Sequence, residues 1–234
     1  MKKLPVIVLS AFIALVAISC TQDQFDGTTA IAFTATYNPT GKIQSGVTLD
    51  AFTVNVEEVE IEYDDDDDNY GDDDVYDDVE LAGPFTVDLL DNGASMTALL
   101  ADVELPAGVY DEIEFEIDDV EDTQSDMYDK SIEVTGDIDG TPFIFFTDEE
   151  YEVEVEFENG STLNIDRAKD VILNVEFDLT QLFGAASGTI DLTQAKDGNG
   201  DGLIEIHDND PDGNQALADK IEDAIDDVIY SYDD

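Results

Sequence analysis

Apolar and polar residues alternate with a period of two through most of this 234-residue chain. Ile31, Phe33 and Ala35 alternate with small polar residues. Phe52, Val54 and Val56 do the same, and Val59, Ile61 and Tyr63 then resume one residue out of phase. A period of two sends successive side chains to opposite faces of a strand, and the slip at Glu57–Glu58 predicts a β-bulge. Phe85, Val87 and Leu89 predict another strand, followed by a tight turn at Asn92–Gly93. Ile113, Phe115 and Ile117 are interleaved with Glu112, Glu114, Glu116 and Asp118. Tyr151, Val153, Val155 and Phe157 alternate with Glu152, Glu154, Glu156 and Glu158, and Asn159–Gly160 reads as a hairpin turn into Leu163 and Ile165. Val171, Leu173, Val175, Phe177 and Leu179 form one more strand, with Asn174, Glu176 and Asp178 pointing the other way. One apolar and one acidic face per strand describes antiparallel sheets buried on one side only. The expected fold class is all-β, an antiparallel β-sandwich of about seven to nine strands.

The period changes at both ends of the chain. Leu217, Ile221, Ala224, Ile225, Val228 and Ile229 recur at three- and four-residue steps, with Asp219, Glu222, Asp223, Asp226 and Asp227 opposite them. That pattern predicts an amphipathic C-terminal helix packed on the sandwich edge. At the other end, Lys2 and Lys3 precede an apolar run from Leu4 to Ile18, then Ser19 and Cys20. The run is too short for a spanning helix and has the form of a secretory signal with a cleavage site. Cys20 is the only cysteine, so no internal disulfide can form. The implied organisation is a signal peptide over 1–19, a tether over 20–28, a sandwich over 29–192, and a loop and helix over 193–234.

Charge narrows the partners. With 60 acidic against 8 basic residues the net charge is −52, which repels nucleic acid and anionic lipid surfaces. Self-repulsion of that size calls for screening or for bound cations. The run DDDDDNYGDDDVYDD from Asp64 to Asp78 is expected to be a solvated hairpin loop, because Tyr70 falls where a calcium loop needs a carboxylate. A better ligand set lies further on, in DGNGDGLIEIHD from Asp197 to Asp208. Asp197, Asn199 and Asp201 stand at positions one, three and five, Gly202 at the turn, Leu203 where a backbone carbonyl is used, Glu205 at nine and Asp208 at twelve. Oxygen-only donors with several carboxylates select calcium as the ion. A second, overlapping frame places Asp208, Asp210, Asp212, Asn214 and Asp219 around another ion, with Asp208 shared between the two.

Three resemblances follow from these residues. Ala17, Ile18, Ser19 and Cys20 resemble the bacterial lipobox, which implies acyl chains on Cys20 and a membrane anchor. Thr21 rather than aspartate next to the cysteine implies sorting to the outer membrane of a Gram-negative envelope. The loop from Asp197 resembles those of EF-hands and dockerins, although Asp208 replaces the EF-hand glutamate and Thr189 to Leu192 reads as a strand in place of an entering helix. With the frame that follows, it is also similar to thrombospondin type 3 repeats. VDLLDNGA (Val87 to Ala94) and ELPAGVYDEIEFEI (Glu104 to Ile117), with their L-P-A-G-x-Y turn, resemble a group of uncharacterised bacterial lipoproteins with a β-sandwich domain of unknown function. That likeness implies a fold and supplies no catalytic residue.

Catalysis has little to work with. His207 is the only histidine and lies inside the proposed calcium loop, and no phosphate loop or zinc cluster is present. A carboxylate pair for glycoside hydrolysis remains available among so many acids, but nothing selects one and there is no tryptophan platform. The expectation is a calcium-stabilised, non-catalytic envelope lipoprotein serving as a structural or interaction module. The alternative is an accessory lipoprotein that captures glycan or peptide through tyrosines such as Tyr63, Tyr70 and Tyr76.

Overall fold

Seventeen residues of continuous strand, β2 (Val47–Tyr63), form the spine of the larger of two sheets. The structure, a computed structural model, describes residues 29–37, 44–63, 79–103, 108–156, 163–165, 171–184 and 190–233. Ahead of β2 lies β1 (Thr29–Thr36). After it come β3 (Val79–Asp91), β4 (Ala94–Ser95), β5 (Thr97–Val103), β6 (Gly108–Ile117), β7 (Ile132–Ile138), β8 (Thr141–Thr147), β9 (Tyr151–Glu156), β10 (Leu163–Ile165) and β11 (Val171–Asp178). Helix α1 (Leu179–Phe183), a 3-10 turn at Leu192–Gln194, β12 (Ile204–Ile206), α2 (Gln215–Ile225), a second 3-10 turn at Asp226–Val228 and β13 (Ile229–Asp233) follow.

The expected sandwich is present. Its small sheet has the order β13-β11-β1-β5, and its large sheet runs β10-β6-β2-β7-β8-β12 with β3 beside β2 and β9 beside β6. The sheets are mixed rather than wholly antiparallel. β1 runs parallel to β11, with Ile31 opposite Leu173, and β12 runs parallel to β8, with Ile204 opposite Phe143. Both parallel pairs join strands far apart in sequence, which alternation alone cannot orient.

The large sheet forks along β2. Val47 to Val54 pairs with β7, Val56 to Tyr63 pairs with β6, and β3 runs along the opposite side. Asn55 sits at the fork with no exposed surface. Its backbone N–H donates to the Ser131 carbonyl (2.8 Å), and its Nδ2 donates to the Asp118 carbonyl (2.8 Å). Its Oδ1 accepts from the Thr86 hydroxyl (3.4 Å). One side chain thus satisfies backbone just past the end of β6 and its own main chain ties down the approach to β7. The bulge expected at Glu57–Glu58 lies immediately beyond, where the pairing with both β3 and β6 slips between Val56 and Glu58. It swaps the buried set from Val54 and Val56 to Val59 and Ile61, all with no exposed surface.

The two sheets meet through edge-to-face aromatic pairs. Phe33 of β1 packs on Phe115 of β6, and Phe177 of β11 packs on Phe52 of β2, each with ring centroids 5.4 Å apart. The Asn92–Gly93 turn is as expected, with both residues at positive φ (50° and 73°) between β3 and β4.

β7 and β8 are absent from the alternation argument. On β8 the outward positions are Ile144 and Phe146, so the strand has no polar face to reveal its period. The C-terminal helix is shorter than its apolar pattern suggests. α2 ends at Ile225, and Val228 and Ile229 are buried instead through a 3-10 turn and β13. Leu179 opens α1 rather than extending β11, because the Asp178 carboxylate caps the helix by accepting the Gln181 N–H (2.8 Å). Leu192 likewise starts a 3-10 turn capped by Asp191, which replaces the strand expected there. Residues 1–28 with Cys20, the Asp64–Asp78 run and the Asn159–Gly160 turn lie outside the described residues. The strands flanking the acidic run do pair, with Ile61 opposite Val79.

The fork yields a stability prediction. Asn55→Leu strands the Asp118 carbonyl and the Thr86 hydroxyl, and is expected to cost about 1–3 kcal/mol. Thermal unfolding should show a fall in Tm of about 2–4 °C per kcal/mol; an unchanged Tm would mean that the side chain does not hold the fork.

Candidate metal centre

The parallel pairing of β12 with β8 delivers the Asp-rich loop to the end of the large sheet. Short-range hydrogen bonds shape that loop. Asp197 Oδ1 accepts the N–H groups of Gly200 (2.6 Å) and Asp201 (3.1 Å), and its Oδ2 accepts that of Gly202 (2.9 Å). Asn199 Oδ1 accepts from the Asp201 N–H (2.8 Å), and Asp201 Oδ1 from the Leu203 N–H (3.0 Å). Side-chain oxygens at positions one, three and five are therefore held on the inside of one turn. Gly202, at position six, has φ +94°, a conformation that side chains with a Cβ rarely adopt.

Asp212 braces the same loop from outside it. Its carboxylate accepts the N–H of Asn199 (2.9 Å) and of Glu205 (2.8 Å), and it is buried. Burial opposes its ionisation. The backbone donors of Glu205, Asn199 and Gly198, helped by His207, outweigh that and hold its pKa below the usual carboxylate value. The approach is close: a Cβ on Gly198 would stand 2.2 Å from the Asp212 carbonyl oxygen, so only glycine fits.

The second frame is held by backbone bonds at its centre and by a side-chain cluster at its ends. Asp210 is buried and its carboxylate accepts the N–H groups of Asp212 (2.7 Å) and Asn214 (3.0 Å). The Asn214 carbonyl accepts from Leu217 (2.7 Å) and Ala218 (3.1 Å) at the start of α2, so it is committed to the helix. Its side chain donates to the carbonyls of Lys196 (3.0 Å) and Glu205 (2.7 Å), tying the loop's entry to β12. Asp210, Asp212 and Asn214 thus bond to backbone, as Asp197, Asn199 and Asp201 also do in the first frame. Asp208 and Asp219 do come together, and Glu222 joins them, their ligand atoms all within 4.8 Å of one another. Among the described residues this is the only such group of three, so Asp208 stands apart from any three-acid cluster with Asp197 and Asp201.

Glu222 was not among the residues predicted from sequence. Its signal is a position three residues after Asp219, which puts both on one face of α2. Burial, followed by the charges of Asp208, Glu149 and Asp219, raises its pKa to about 6 against the lowering effect of a hydrogen bond with Thr147. The groove beside it, about 540 Å³, is lined by Glu149, Glu150, Tyr151, Asp208, Asp219, Glu222 and Asp223. His207 is stacked on Phe146 (centroids 4.2 Å apart) and its Nδ1 accepts the Asn209 N–H (3.3 Å).

Residues 31–193 match a family model described as a domain of unknown function, DUF4382. The chain belongs to the DUF4382 family. No curated protein and no solved structure matches it. The DUF4382 span covers both sheets up to β11 and ends before Asp197, so the loop, α2, β12 and β13 lie beyond the matched residues.

The DUF4382 span carries its own concentration of charge, on the outer face of the large sheet. Glu60 pairs across strands with Glu80 and Glu114, Glu114 with Glu154, and Glu116 with both Glu58 and Glu152. Like charges directly opposite one another in a sheet are destabilising. Burial, then the hydrogen bond and charge of Glu152, with Glu60 and Glu154 behind them, push Glu114 up to about 7. A carboxyl raised in the folded state stabilises the fold while protonated, and that contribution is lost as pH rises from its ordinary 4.5 through about 7. Glu114→Gln is therefore expected to raise Tm by about 2–4 °C at pH 8 and by little at pH 4. Equal gains at both values, in thermal circular dichroism, would contradict the assignment.

Proposed function

We propose that this is an exported, lipid-anchored envelope protein whose C-terminal segment is fastened to a DUF4382 sandwich by calcium. It acts as a non-catalytic structural or interaction module. The calcium reading rests on one observation: side-chain oxygens of Asp197, Asn199 and Asp201 line the inside of a single glycine-turned loop. The three side chains offer oxygen donors, the chemistry of a hard cation. The Leu203 carbonyl and Glu205, acting through water, complete the proposed shell. A second ion is proposed between Asp208 and Asp219, with Glu222 in place of Asp210, Asp212 and Asn214. In this reading Asp208 closes the second site, and Asp212 gives the first its shape.

The anchor rests on the sequence from Leu4 to Cys20, and the outer membrane of a Gram-negative envelope on Thr21. A firm hold on the bilayer needs two or more acyl chains, which a triacylated Cys20 would supply. The non-catalytic reading draws on His207, whose ring and Nδ1 are occupied by Phe146 and the Asn209 amide. The glycan-capturing alternative gains no support from the groove beside α2, where six acids face one tyrosine.

Calorimetric titration is expected to find two calcium ions per chain, with Kd of about 10⁻⁴–10⁻³ M. Asp197→Ala with Asp201→Ala should remove one, and Asp219→Ala the other. One ion in the unaltered chain refutes the pair, and none refutes the loop. At constant ionic strength, chelation should lower stability by about 1–2 kcal/mol per site, about 3–4 kcal/mol for both, relative to free calcium at ten to twenty times Kd. Mass spectrometry of the processed N-terminus tests the anchor separately: an acylated Cys20 is expected, and an unmodified Cys20 or Thr21 refutes it.

A further inference from the structure

The two outer faces of this sandwich carry very different charge. On the large sheet, β2, β6 and β9 alone place Glu58, Glu60, Glu114, Glu116, Glu152 and Glu154 outward. On the small sheet, the described outward positions that reach solvent are Thr34 and Thr36 on β1, Thr97 and Leu99 on β5, and Asn174, Glu176 and Asp178 on β11. Two of these are acids, and both are engaged. The Glu176 carboxylate accepts the Thr36 hydroxyl, and Asp178 caps α1. From Asn92 to Ala101 no residue is charged, in a chain where 60 of 234 are Asp or Glu. Leu99 is 61% exposed and the nearby Met96 41%.

We propose that the outer face of the small sheet, Leu99 foremost, rests on the zwitterionic surface of the bilayer that holds Cys20, with the glutamate face turned to water. This orientation rests on the anchored reading of Cys20 and adds to it which face meets the lipid. Tether length keeps the domain at the surface. Nine residues separate Cys20 from Thr29, the first residue of β1, a reach of at most about 30 Å. β2 alone is about 55 Å long. The point of attachment disfavours an end-on stance. Phe115, paired with Val59, packs on Phe33, whereas Phe52 packs on Phe177, which stands beside Ala35. Going back along β1 from Ala35 toward Thr29 therefore runs along β2 toward Tyr63, where the Asp64–Asp78 run begins. An end-on domain would bring that run against the headgroups. The large sheet would bring its glutamate rows, and charge taken out of water is costly. The small sheet remains. Packed sheets stand about 10 Å apart, so resting on it holds the glutamates beyond the screening length of about 8 Å at physiological salt. Short flexible linkers give millimolar effective concentrations, so a contact too weak to form from solution is populated here.

The experiment uses the acylated full chain on phosphatidylcholine vesicles. Acylation blocks Cys20, so Leu99→Cys and Glu154→Cys, both at exposed positions, each supply one thiol for a polarity-sensitive fluorophore. The Leu99→Cys label is expected to shift to the blue on vesicles and to be quenched by nitroxide-headgroup lipid. The Glu154→Cys label should do neither. Amide exchange needs no label: β5 should exchange several-fold more slowly on vesicles than in the same chain without acyl groups, and β9 equally in both. Thr97→Asp with Leu99→Asp should abolish that slowing while the chain still sediments with the vesicles. Co-sedimentation separates the two readings. A chain that fails to sediment with vesicles overturns the anchor and this orientation with it. A chain that sediments but gives equal responses at the two labels, or a response at Glu154→Cys alone, overturns the orientation only.

Discussion

The large sheet can fork only because Asn55 satisfies backbone groups on both of its branches. A strand of seventeen residues that changes partners midway leaves amide and carbonyl groups exposed where one partner departs and the next arrives. In a buried position those groups must find acceptors and donors or cost free energy comparable to a lost hydrogen bond. Asn55 meets the requirement with one N–H, one side-chain amide and one side-chain oxygen, toward Ser131, Asp118 and Thr86. The upper branch, β6 with β9, carries the opposed glutamates. The lower branch, β7 with β8, carries β12 and thus the Asp-rich loop.

The two branches handle negative charge differently. On β2, β6 and β9 the carboxylates face one another across strands, and burial with like charge raises the pKa of Glu114 and Glu116. In the loop after Gln194 the carboxylates face backbone amides instead. Asp197, Asp210 and Asp212 together accept the N–H groups of seven residues, Asn199, Gly200, Asp201, Gly202, Glu205, Asp212 and Asn214. At Asp212 such bonds outweigh burial and favour the ionised carboxylate, the opposite of the outcome at Glu114.

Much of this was legible in the sequence, and what was hidden has physical reasons. Period-two alternation located β1, β2, β3, β6, β9 and β11, and the phase slip at Glu57–Glu58 located the bulge, because each has one apolar and one polar face. β8 has no polar face, since Ile144 and Phe146 point outward, and so it gave no alternation to read. The apolar steps from Leu217 to Ile229 reported burial correctly but not helix length, because a 3-10 turn and a strand bury Val228 and Ile229 equally well. In the loop, spacing identified the residues at positions one, three and five. It could not tell that Asp212 would turn back to the Asn199 and Glu205 amides, or that Glu222 would join Asp208 and Asp219 from α2. Those are tertiary choices, made by what each carboxylate finds nearby after the chain has folded.

The last forty residues are stitched into both sheets: β12 lies against β8 in one, and β13 lies against β11 in the other. The residues from His207 to Asn214, with α2, lie between these two stitches. Anything that loosens the segment between them would uncover two strand borders at once, one in each layer, while the aromatic contacts between layers stay in place. The first sign of distress in this protein would accordingly be stickiness rather than melting, a folded body that has acquired two new places to be joined.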